Sequence, residues 1–226
     1  MEMAKHTRMS NEDRRQVILK AARELFARTG LEGARTAELA RAAGVSERLL
    51  YKHFPSKEAL HKAALTSLTD EIIAEARQVI ALESSTSTLV LLTHFLVSQL
   101  LSHSPERDAF MRLAVRSMAG DGEFARFGRK QMVVIEAKLQ KCLEKAIVSG
   151  DIAKGIPAPK TSTLFLEALA TGVAFGLLPT PATVDYGVPG EKIIEQVVWF
   201  ALRGMGLRDD VIRRHYNAKA IALLAG

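Results

Sequence analysis

Between residues 36 and 57 the chain gathers side chains suited to holding a polyanion: Thr36, Ser46, Arg48, Tyr51, Lys52, His53 and Lys57. A guanidinium such as that of Arg48 can donate to both acceptors on the major-groove edge of guanine, and it can equally take a phosphate or remain a surface charge. Lys52 suits a phosphate, and His53 a phosphate or a base. Thr36, Ser46 and Lys57 stand where helices are expected to begin, and there free N–H groups and the helix dipole favour phosphate oxygens. For Thr36 and Ser46 simple helix capping is the plainer role, and the two roles can coexist. Tyr51 offers a ring to pack and a hydroxyl to reach a nucleic-acid backbone, while Glu47 and Leu49 complete the same helical face.

Other chemistries find no foothold. No Ser/His/Asp order, metal-spaced His cluster, phosphate loop or paired carboxylates stand out, so the chain does not read as an enzyme, and neither metal nor cofactor is implied. The single cysteine, Cys142, excludes an internal disulfide and reads as a small buried hydrophobe in register with Ile135, Leu139 and Ala146. The first 30 residues hold no apolar block of the kind a secretory signal needs. The longest apolar stretches, 88–101 and 164–178, fall short of the roughly 20 residues that span a bilayer, and Glu167 interrupts the second. Both read as buried helices, and the expectation is a cytoplasmic protein with no membrane contact.

Charge is distributed unevenly. Residues 1–60 carry 12 Lys or Arg against 8 Asp or Glu, which places +4 of the chain's net +6 in about a quarter of its 226 residues. That asymmetry points to a polyanion-facing N-terminal unit, with Lys5, Arg8, Arg14 and Arg15 as a possible basic arm.

The elements that must position these groups read as helices throughout, because apolar residues recur at helical spacing and no run alternates as a half-buried strand does. Ser10 caps a first helix, with Glu12 and Asp13 in its first turn and Gly30 as its stop. Two short helices follow: Thr36 caps one through Ala43, and Ser46 caps another reaching Phe54. Pro55 and Ser56 then introduce a longer helix containing Lys57 and Leu60. Further helices are expected at about 86–102, 105–118, 122–149, 159–178, 190–205 and 209–224. Residues 36–54 form a helix-turn-helix: Ala40 is small at the crossing, Gly44 supplies the turn's positive φ, and Leu39, Ala43, Val45 and Leu50 join the two helices.

The runs Thr36-Ala-Glu-Leu-Ala, Ala43-Gly-Val-Ser46 and Leu50-Tyr-Lys-His-Phe-Pro-Ser-Lys-Glu-Ala-Leu60 resemble the TetR family of bacterial transcriptional regulators. The resemblance covers about residues 11–62. It implies an all-α protein with a three-helix DNA-binding domain, here residues 1–57, and a helical ligand-binding and dimerisation domain, residues 58–226. It also implies phosphate contacts at Thr36, Tyr51 and Lys57 and a recognition helix over 46–53. Arg48 departs from a frequent Gly, and Leu49 from a usual Thr, Ser or Ala. Family members usually repress transcription and release DNA on binding a small molecule.

Beyond residue 65 the helices themselves carry the reading. Ala168, Gly172 and Gly176 lie at four-residue spacing, and Ile193, Ile194, Val197, Val198 and Ala201 give a wide apolar face. Each helical Gly costs about 1 kcal/mol relative to Ala, so close approach of another helix is expected, either of a twofold mate or within the core. Phe95, Phe110, Met111, Met118, Phe127, Met132, Phe165 and Phe175 are candidates for a ligand pocket among the helices, plain core being the other role open to each. The expected function is a homodimeric regulator, a repressor released from palindromic double-stranded operator DNA by a small, largely apolar effector. The alternative is an architectural or partner-regulated DNA-binding protein whose helical domain has a filled core and no ligand.

Overall fold

The computed structural model describes residues 9–102, 107–108, 111–112, 114–115, 122–153, 157–178 and 181–216. Among these the fold is all α, with one isolated bridge, between Ile152 and Leu207, outside the helices.

Helix α1 spans Asn11–Gly33 and begins with a reciprocal cap: the Ser10 hydroxyl accepts from the Asp13 amide, and the Asp13 carboxylate accepts from the Ser10 amide. The expected stop at Gly30 is instead a kink. Gly30 takes φ 72°, ψ 178°, and the chain re-enters the helix as far as Gly33. Helices α2 (Thr36–Ala42) and α3 (Glu47–His53) flank a turn in which Gly44 adopts φ 65°. Arg35, not Thr36, occupies the cap position of α2, and no side chain bonds to the free amides there. Ser46 caps α3 as expected, accepting from the Leu49 amide at 3.2 Å.

Helix α4, Lys57–Ala81, is capped by Ser56 and belongs to two cores. Its first turns contribute Leu60, Ala64 and Leu65 to an N-terminal core with Ile18, Phe26, Leu39, Leu50 and Phe54. Its last turns contribute Ala76 and Val79 to a larger core. Leu50, Leu60 and Phe26 are completely buried, and each such side chain is worth roughly 1.5–3 kcal/mol on leaving water, which holds the two-turn α2 and α3 in place.

Helix α5 (Thr86–Leu101) is apolar on nearly every side and lies at the centre of the larger core, packed by α4, α6 (Glu123–Val148), α7 (Pro159–Leu177) and α8 (Gly190–Gly204). Cys142 is fully buried on α6 with Ile135, Leu139 and Ala146. Helix α9, Asp209–His215, is shorter than the expected 209–224, because Tyr216 turns to φ −94°, ψ 108° and closes it. Of the helix expected at 105–118, residues 107–108, 111–112 and 114–115 are described and are helical.

Candidate nucleic-acid interface and interhelical cavity

Leu50 and Phe54 anchor α3 inward, so the opposite face of α3 is presented to solvent. Glu47, Arg48 and Lys52 are exposed there, Leu49 is half-buried beside them, and Tyr51 is 45% exposed. The Tyr51 hydroxyl stands 3.2 Å from the Thr36 hydroxyl, so α2 and α3 hold two hydroxyl groups as one polar pair at the protein surface. The Lys57 ammonium donates to the Ala34 carbonyl at 3.3 Å, which fixes the first residue of α4 against the start of α2 and leaves two N–H bonds for an anion. His53 sits less openly than its sequence position suggests: it is half-buried, and its Nε2 is buried with no hydrogen bond among the described residues.

One further residue shapes this face. Arg15 of α1 places its guanidinium 4.4 Å from the centre of the Phe54 ring and donates to the His53 carbonyl at 3.4 Å. It satisfies a carbonyl at the C-terminal end of α3 and brings a cation to the negative end of that helix dipole. The sequence shows Arg15 only as part of a basic excess, since its partners lie 38 residues away. Arg23, also on α1, reaches α4, donating to the Ser67 hydroxyl at 2.6 Å and to both oxygens of Glu71 at 2.7 and 3.2 Å.

A cavity of about 370 Å³ lies between α4, α5, α6 and α7. Its walls are mostly apolar: Ile72 from α4, Leu96 and Leu100 from α5, Met132 and Ile135 from α6, and Leu166 from α7. Of the aromatic and methionine residues singled out from the sequence, Met111 and Met132 line it. Phe95 is buried in the larger core and Phe175 is half-buried against it. Phe127 packs on the N-terminal core, with the Lys62 ammonium 5.9 Å from its ring centre. Phe165 is 61% exposed and faces away from the cavity walls. Phe110 and Met118 lie outside the described residues.

The cavity also holds charge that the sequence alone does not assign to it. Arg129 donates to Glu167 at 2.8 Å and stands 3.2 Å from Glu136, within ion-pair range but too poorly aligned for a hydrogen bond. Glu167 is held above the usual carboxylate range, first by burial and then by the neighbouring Glu136 carboxylate. The available signal was Glu167 itself, an acid in the middle of an apolar helical run.

The expected interface residues separate into two sets. Ile193, Val197, Val198 and Ala201 are buried in the chain's own larger core, and Ile194 packs half-buried against it. The wide apolar face of α8 is therefore turned largely toward α5. Gly176 answers to a local need as well: a Cβ there would stand 3.0 Å from Val184 and 3.1 Å from the Tyr186 hydroxyl, and its carbonyl accepts from the Thr183 and Val184 amides. Ala168 and Gly172 are exposed on α7, together with Phe165, and Phe200 on α8 is 67% exposed.

Among the described residues no helix is long and apolar enough to cross a membrane, and no group of three His, Cys, Asp or Glu could hold a metal ion.

Residues 18–64 match the family described as bacterial regulatory proteins, tetR family. The transcriptional regulator UidR of Escherichia coli K12 is 28% identical over 154 residues, 66% of this chain and 74% of that protein. The nucleoid occlusion factor SlmA of a Marinomonas species is 25% identical over 151 residues, again 66% of this chain and 74% of the relative. In fold, the chain resembles a TetR-family transcriptional regulator from a Rhodococcus species with a TM-score of 0.67 at 21% identity, over 86% of this chain and all of that one.

Proposed function

We propose that this chain, a DNA-binding transcriptional regulator whose N-terminal segment is that of the TetR family, is a dimeric repressor released from a palindromic operator by a small, largely apolar ligand. Helix α3 would enter the major groove, with Arg48 reading bases and Lys52 on phosphate. Thr36, Tyr51 and Lys57 would hold the backbone on either side of it. The exposed Phe165, Ala168, Gly172 and Phe200 give α7 and α8 an apolar surface that a twofold mate would cover, which supports two recognition helices on one DNA face.

The observation that carries the ligand reading is the cavity of about 370 Å³, a volume in the range of small-molecule sites. A purely architectural or partner-regulated protein would be expected to fill that space. The cavity is walled by Ile72 of α4, one residue from Glu71, and α4 grips α1 through Glu71 and Arg23. A ligand that favours one position of α4 would thereby favour one spacing of the recognition helices, and it can shift that equilibrium only by its difference in affinity for the two positions.

The test is selection of bound duplexes from a random DNA pool with the full chain, followed by anisotropy on the selected site in the presence of candidate small molecules. A palindromic consensus and loss of binding with at least one apolar compound are expected. Failure to enrich any sequence would refute the operator, and a selected site insensitive to every compound that binds the cavity would refute ligand release.

A further inference from the structure

Helix α3 is held by little. Of its seven residues only Leu50 is buried, and Phe54, its cap residue, supplies the second apolar anchor. A two-turn helix with two anchors on one side can tilt about them unless its end is tied down. The chain that follows does not tie it: the Phe54 amide closes back on the Leu50 carbonyl, and Pro55 brings no N–H to the carbonyls left over. Arg15 supplies a donor from outside. It lies on the face of α1 that also carries Ile18, Leu19 and Ala22, all buried, so its backbone is fixed by the core of the domain. From there one planar group does two things: it covers the Phe54 ring at 4.4 Å and donates to the His53 carbonyl at 3.4 Å. Arg15 is half-buried in this position, whereas Arg48 and Lys52 of α3 are exposed.

We propose that Arg15 is a positioning residue that sets the sequence specificity of DNA binding without touching DNA, by fixing the tilt of α3, an inference that rests on α3 being the helix that enters the major groove. Groups that read base edges must be held to within about 0.5 Å, and a guanidinium bonding both acceptors of guanine is such a group. A phosphate contact made by a flexible lysine is more tolerant. Loosening α3 therefore costs Arg48 its base contact and leaves the general attraction to DNA in place. Lysine at position 15 cannot do the same work. Its ammonium keeps a positive charge at the C-terminal end of α3, but it has no planar fork that lies on the Phe54 ring and donates to His53 at once.

The experiment is anisotropy titration of the full-length parent, Arg15→Lys and Arg15→Met on a selected operator and on scrambled duplex, at several salt concentrations and at a temperature where circular dichroism shows all three folded. Both variants are expected to lose roughly tenfold in operator affinity, the scale of one hydrogen bond to a charged group, with affinity for scrambled duplex unchanged. The salt slope should stay that of the parent in both. Lower stability alone would weaken binding to the two duplexes alike, so the ratio of the two affinities reports positioning. A parent-like ratio in both variants would overturn the inference and leave α3 standing as the reader. Parent-like behaviour of Arg15→Lys, with a slope shallower by about 0.9 in Arg15→Met, would overturn it by placing Arg15 on phosphate. A parent that does not distinguish operator from scrambled DNA would overturn it together with the reading of α3. If Arg15→Met does not fold, the ratio in Arg15→Lys decides the matter alone.

Discussion

Lys57→Ala removes one cation whose position is well defined. Its ammonium opens α4 and donates to Ala34 at 3.3 Å, so the change removes both a hydrogen bond within the DNA-binding domain and a charge beside Thr36 and Tyr51. The first loss should cost about 1 kcal/mol of folding stability, the usual net worth of such a bond, and leave the domain folded. The second should act on every duplex alike. One phosphate contact contributes about 0.9 to the slope of log affinity against log salt, so between 50 and 200 mM salt the parent should lose roughly 3.5-fold more affinity than the variant. Anisotropy titrations at several salt concentrations, on a selected operator and on scrambled duplex, measure both slopes. Arg48→Ala is the control, since it should narrow the gap between operator and scrambled DNA by about 1–3 kcal/mol per base pair it reads. An unchanged salt slope in Lys57→Ala, or a loss confined to the operator, would refute the placement of Lys57 on phosphate.

Three further substitutions probe the scaffold. Gly128→Ala on α6 should raise stability by roughly 0.5–1 kcal/mol, because its Cβ meets nothing within 4 Å and a helical Gly is costly; a rise in the urea midpoint at constant slope would show it. Gly176→Ala should instead destabilise by about 1–3 kcal/mol, since Val184 and Tyr186 occupy the space a methyl needs, and an unchanged midpoint would contradict the close approach. Thr86→Val removes the 2.6 Å bond that, as the leading cause, holds the Asp151 carboxyl below its ordinary range. A depressed carboxyl stabilises the fold above its unfolded pKa and ceases to as pH falls through the folded one. The variant should therefore lose about 1 kcal/mol at neutral pH, with the gap to the parent closing below about pH 4.

The helix-turn-helix was readable from the sequence because its determinants are local. Ser46 and Ser56 as caps, Gly44 as the turn and Leu50 as the inward anchor act within a few residues of themselves, and all four take those places. Thr36 did not cap α2: it is the helix's first residue, after Arg35, and its hydroxyl instead meets that of Tyr51, a contact set by how two helices pack. In the helical domain the pattern fixed which residues are apolar but not which neighbour they face. Val197 and Phe200 sit on one helix three residues apart, yet the first is buried against the chain's own core and the second is exposed. Gly172 and Gly176 share a spacing but not a role, since a loop descends on one and the other faces open space. The cavity was least legible: its walls come from α4, α5, α6, α7 and the helical residues 107, 111 and 114, and of its charges Glu167 alone stood out in the sequence, as an acid within an apolar run.

Release by a ligand requires that occupancy of this cavity weaken DNA binding. The test is operator affinity of the parent and of Gly128→Phe, each with and without a small molecule shown to bind the cavity. Residue 128 lines the cavity, and its Cβ has open space before it, so a phenyl group there should occupy the chamber without disturbing the helix. Ligand is expected to weaken operator binding by the parent and to leave the variant's affinity unchanged. Equal weakening of both proteins, or none in a parent shown to bind ligand in the cavity, would contradict it.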